Sequence, residues 1–93
     1  DMRLNKENNL VLMPNPVVSD ALTLNLSDIE ASGNCKILLY DMTGKITKTY
    51  NWPLVKGTNN MTISGMQTLA KGVYQVIVED QYGQKIGKAR FIK

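Results

Sequence analysis

In the stretch ALTLNL, Leu22, Leu24 and Leu26 alternate with Ala21, Thr23 and Asn25, the period of a strand that buries one face. A helix would scatter those leucines around its circumference, so this pattern commits the segment to a sheet. The rest of the chain follows suit. Leu10 to Met13 reads as a first short strand, and Cys35 to Tyr40 is apolar on both parities, as in a central strand covered on both sides. The run DMTGK then turns the chain, with Asp41 placed to accept backbone hydrogen bonds and Gly44 suited to the last turn position. Ile46 to Trp52 is the return strand, and Pro53 stops it or restricts it to an edge. Met61 and Ile63 share one face of a short fifth strand, and MQTLAKG is long enough only for a turn or a single 3₁₀ element. In VYQVIVE, Tyr74, Val76 and Val78 take one face and Val73 and Ile77 the other. EDQYGQ, with Gly83, leads to a last strand over Gln84 to Ile92.

Seven short strands punctuated by turns predict an all-β chain: a single seven-stranded antiparallel immunoglobulin-like β-sandwich. Trp52, beside Pro53 at a strand end, is expected to cover one end of the core. The loop SDIEASGNC is acidic and longer than a tight turn. Between the first two strands stands Pro14-Asn15-Pro16. Each proline fixes its own φ, lacks a ladder donor and disfavours helix in the residue before it. The chain there stays extended but cannot stay paired, which suits an edge strand leaving one sheet for the other.

With 93 residues, 43% of them hydrophobic, the chain can build one domain around one core. No apolar run approaches the length of a membrane-spanning helix, and DMRLNKENN is too polar for the core of a signal peptide. Direct membrane insertion is therefore not expected. Asp1, where a whole protein would begin with Met, suggests a piece from the end of a longer protein, with any export signal either removed or upstream.

Histidine is absent and Cys35 is the single cysteine. These counts remove an internal disulfide, Ser-His-Asp and Cys-His nucleophile pairs, HExxH zinc helices and the commonest general base. No catalytic residue, cofactor or metal ligand is expected. Asp41 alone cannot form a calcium loop, and Glu79 and Asp80, adjacent in sequence, point to opposite faces of a strand. Net charge is +3, distributed unevenly: residues 1–30 hold five acids against two bases, whereas Lys85, Lys88, Arg90 and Lys93 close the chain without an acid. The few aromatics are not interleaved with these bases, so nucleic-acid binding is not expected.

Four landmarks occur in order. They are Pro14-Asn15-Pro16 with Val17, Ser19, Asp20 and a Leu-Thr-Leu strand; ILLYDMTGKI with Asp41, Gly44 and Lys45; LAKGVYQVIV with Leu69, Gly72, Val73 and Tyr74; and the closing KARFIK. In this combination the chain resembles the type A C-terminal sorting domain of proteins exported by the type IX secretion system of Bacteroidetes. The resemblance spans nearly the whole sequence.

It implies a non-catalytic address. Such a domain ends a larger, covalently attached cargo, is recognised by the outer-membrane export machinery, and is typically removed by a sortase-like cysteine protease that cuts in the preceding linker. The cargo passes through the periplasm and reaches the cell surface or the medium. Residues 1–9 would then be the linker remnant and residues 10–93 the sorting domain. The last strand, with Lys88, Arg90, Phe91, Ile92 and Lys93, is the candidate recognition element: apolar anchors in a positive field, suited to strand addition by a receptor. The alternative is an accessory fibronectin-like or carbohydrate-binding sandwich attached to an extracellular enzyme.

Overall fold

The computed structural model describes residues 10–14, 17, 19–30 and 32–93. The expected linker, residues 1–9, and Asn15 and Pro16 of the first landmark lie outside the described residues. Seven strands form: β1 (Leu10–Met13), β2 (Leu22–Ile29), β3 (Gly33–Tyr40), β4 (Ile46–Leu54), β5 (Gly57–Ile63), β6 (Val73–Glu79) and β7 (Lys85–Ile92), with a 3₁₀ turn at Met66–Thr68. They assemble into two antiparallel sheets, β1-β2-β5 and β4-β3-β6-β7, the expected sandwich. One strand differs in placement from the constant-type immunoglobulin arrangement, since the fourth lies beside β3 instead of beside β5. The tight DMTGK turn dictates this, because a hairpin partner must be the sequence neighbour.

The core is the set of inward residues that the alternation marks. Leu22, Leu24 and Leu26 are fully buried and pack in one cluster with Ile37, Leu39, Val76, Val78 and Phe91. Each such side chain contributes about 1.5–3 kcal/mol of transfer free energy. Trp52, opposite Cys35, and Leu54, opposite Gly33, belong to the same cluster towards the end where β2 leads into β3. Pro53 does not end β4. It is exposed and sits within an edge strand, where its missing N–H costs the ladder nothing. The acidic segment Ser27 to Cys35 is also mostly strand: β2 runs on through a bulge, with Asp28 at φ 59°, to Ile29 opposite Gly57.

Of the crossing expected from the paired prolines, the described residues show one bond to the other sheet, after which the chain returns as β2 to the sheet of β1. β1 pairs with β2 up to Met13 opposite Thr23, and beyond Pro14 the Val17 N–H donates to the Ile92 carbonyl of β7, in the other sheet, at 2.8 Å. A two-residue link carries β4 to β5 between sheets. The buried Asn59 side chain braces it, accepting from the Val55 N–H at 3.0 Å and donating to the Val55 carbonyl at 2.8 Å.

Candidate functional site

β3 and β7 finish, and β2 and β6 begin, at the same end of the sandwich. Within the larger sheet Tyr40 lies opposite Gln75, Gln75 opposite Arg90 and Val73 opposite Ile92, and in the smaller Leu22 lies opposite Ile63; the bonds of Tyr50 to Ser64, Lys93 to Leu69 and Val17 to Ile92 bring these ends together. The turn at Asp41–Lys45, the segment Ser64–Gly72 and the residues around Lys93 are thereby gathered at one end, with Pro14 reached by β1. All four landmarks, apart from the undescribed Asn15 and Pro16, meet there.

Each landmark has a structural task. The Asp41 carboxylate accepts from the Thr43 N–H at 2.9 Å, the Thr43 hydroxyl at 2.6 Å and the Lys45 N–H at 3.1 Å. The Thr43 hydroxyl first, then the Lys45 N–H, hold its pKa below the ordinary carboxylate value. Gly44 takes φ 88°, a conformation that favours glycine, and the Lys45 side chain is exposed. The Leu69 side chain packs against the core, and its carbonyl accepts from the Lys93 ammonium at 3.2 Å. Gly72 and Lys93 exchange backbone hydrogen bonds at 2.8 and 3.4 Å. Tyr74 is buried, stacks on Phe91 and donates its hydroxyl to the Ala70 carbonyl at 2.6 Å.

Asp20 completes this end. Its carboxylate accepts from the Gln67 N–H at 3.0 Å and its carbonyl from the Met66 N–H at 3.0 Å, pinning the 3₁₀ turn onto the start of β2. The Gln67 and Gly65 amides lower its pKa, helped by the charges of Lys48 and Lys93. Burial, and secondarily Asp20, raises the Tyr50 phenol, which donates to the Ser64 carbonyl at 2.7 Å. Sequence reasoning noted Asp20 as a landmark but not this role, because its partner lies in a distant segment.

The candidate recognition residues divide. Lys88, Arg90 and Ile92 point outwards from β7, Ile92 with 53% of its surface exposed. Phe91 is fully buried and is a core residue, not an anchor presented to a receptor. Lys93 is half-buried and held at backbone and side chain. The Val17 N–H occupies the Ile92 carbonyl, so this end of β7 is not open to an added strand at that point. Lys88 flanks a small apolar spot outside the main core, formed by Leu38 opposite Ile77 on the outer face of the larger sheet. Among the described residues no three His, Cys, Asp or Glu side chains approach closely enough to hold a metal ion.

These features define a small β-sandwich whose diagnostic residues are gathered and bonded together at one end. The model of the secretion system C-terminal sorting domain matches residues 11–93, and the chain belongs to that family. It is thus a sorting signal of type IX secretion, a family that serves export across the outer membrane. No curated protein matches the chain.

Proposed function

We propose that this domain is the removable address of a larger protein joined ahead of Leu10, and that the export machinery reads it at the landmark end through the side chains of Lys88, Arg90 and Ile92. The observation that carries this reading is polarity. β1 runs from Leu10, opposite Leu26, towards Met13, opposite Thr23, so the chain enters β1 heading for the end where the landmarks gather. A receptor bound at that end faces away from the side on which cargo is attached. A sortase-like cysteine protease acting within residues 1–9 then separates cargo from address without touching the receptor-bound end.

The four tyrosines argue against an accessory sugar-binding role. Tyr74 is buried, Tyr50 is turned to Ser64, and Tyr40 and the 81%-exposed Tyr82 sit at opposite ends of the larger sheet. They form no shared platform.

The test is a reporter that carries a periplasmic signal and is fused ahead of Asp1 to Lys93, expressed in a host with a working type IX system. Reporter outside the outer membrane, lost in a secretion-deficient host, is the expected result. Retention of a folded, stable fusion in the periplasm overturns the reading.

A further inference from the structure

Four strands lie at sheet edges: β1 and β5 in one sheet, β4 and β7 in the other. An edge strand offers unpaired backbone groups to any other chain, and proteins blunt such edges with short strands, charges or proline. Three of the four are blunted. β1 has four residues and runs into Pro14, β4 contains Lys48 and Pro53, and β7 carries Lys85, Lys88 and Arg90 with Val17 bound at Ile92. β5, Gly57–Ile63, has seven residues with neither charge nor proline.

The outward residues of β5 read the same in both directions: Thr58, Asn60, Thr62. Paired antiparallel with a copy of itself about a two-fold axis at Asn60, the strand sets Asn60 against Asn60 and Thr58 against Thr62. These are the pairs it already makes with β2, where the Thr62 and Thr23 hydroxyls lie 2.9 Å apart and Asn25 donates to Asn60 at 2.7 Å. In the same register Lys56 faces Ser64 and Gly57 faces Ile63, so no charge meets a like charge. Side-chain pairs directly opposite are the unit that stabilises and registers a sheet, and an isologous contact requires such self-complementarity.

We propose that β5 is a homodimerisation edge, joining two copies through an antiparallel β5–β5 pair into one continuous six-stranded sheet. The pairing leaves the outer face of the larger sheet uncovered, and it does not rest on the sorting role.

Sedimentation of the chain across a concentration series tests it, together with cysteine cross-linking. The expected mass is twice that of the monomer at high concentration. It falls to the monomer value in Asn60→Lys, which sets two ammonium groups face to face, and in Thr58→Lys, which leaves the Asn25–Asn60 bond in place. Under mild oxidation Asn60→Cys links to a covalent dimer, while Thr58→Cys does not, its two copies lying four residues apart along the strands, roughly 13 Å. A monomer at every concentration, a dimer that survives both lysine variants, or cross-linking that is absent in Asn60→Cys or equal in the two cysteine variants overturns the proposal.

Discussion

Tyr74 and Phe91 lie ring over ring, their centroids 5.3 Å apart and their planes 17° from parallel. The pair joins β6 to β7, and Phe91 has no exposed surface. Phe91→Ala is expected to cost about 3–5 kcal/mol of unfolding free energy, the range for emptying an aromatic site in a core. Tyr74→Phe keeps the stack and removes only the bond to Ala70, a loss of about 1 kcal/mol. Urea unfolding of both variants checks the order, which would be reversed if the hydroxyl dominated.

Lys88 and Arg90 point away from that core, so replacing both with serine is expected to leave the thermal midpoint near that of the parent. The same double variant is expected to lower export of a fused reporter severalfold. Unchanged export would mean that these charges only solubilise the outer face, and would move the recognition site elsewhere.

Stability should fall in acid through Asp20 and Asp41. Both carboxylates have folded pKa values below their ordinary ones, held there by backbone and hydroxyl donors. The stabilisation is therefore complete above the ordinary carboxylate pKa and is lost as pH falls through the lowered, folded values. Asp41→Ala is expected to lower the midpoint at neutral pH and to make the acid limb shallower. Thermal melts between neutral pH and strong acid follow both effects, and parallel curves for variant and parent would exclude Asp41 as a contributor.

Two glycines separate backbone strain from crowding. At Gly44, φ is 88° with nothing near a prospective Cβ, so Gly44→Ala is expected to cost about 1–2 kcal/mol through conformation alone. At Gly87 a Cβ would come within 3.0 Å of Leu26 Cδ1 and 3.4 Å of Leu10 Cβ, so Gly87→Ala overpacks the contact between sheets, by about 1–3 kcal/mol. Gly33→Ala, with no neighbour within 4 Å and no positive φ, should stay within about 0.5 kcal/mol of the parent.

Cys35 is buried, and burial raises its thiol pKa, with Asp80 adding to the effect. A thiol reagent is expected to modify it at the rate at which the domain opens, and far faster in denaturant. Rapid labelling of the folded protein would contradict this.

The strands were legible because their cause is local. Leu22, Leu24 and Leu26 announce a one-sided strand, and Pro14 announces the end of β1 pairing at Met13, since both signals lie in residues next to each other. The Asp41 turn is equally local and recurs: Asp80 accepts from the Tyr82 and Gln84 amides at 2.9 Å, with Gly83 at φ 83°. What escaped was set at long range. Asp20 gives no hint in sequence that its partner is Gln67, and Ser27 to Ile29 read as loop because the bulge that keeps them in β2 depends on Gly57. Phe91 is a different case. Its parity already separates it from Lys88, Arg90 and Ile92, so alternation in KARFIK pointed it at the core although its neighbours suggested an exposed anchor.

The bond from Val17 to Ile92 ties an early segment of the sandwich to its last strand, and Lys93 is clasped by Leu69 and Gly72. Synthesis runs from β1 towards β7, so of these seven strands β7 is the last to leave the ribosome. Until β7 is in place, β6 lacks its outer partner and Leu10 and Leu26 lack the strand they face at Gly87. The sandwich is therefore sealed by the strand of the seven that is made last, and the bond from Val17 can form only once that strand has arrived.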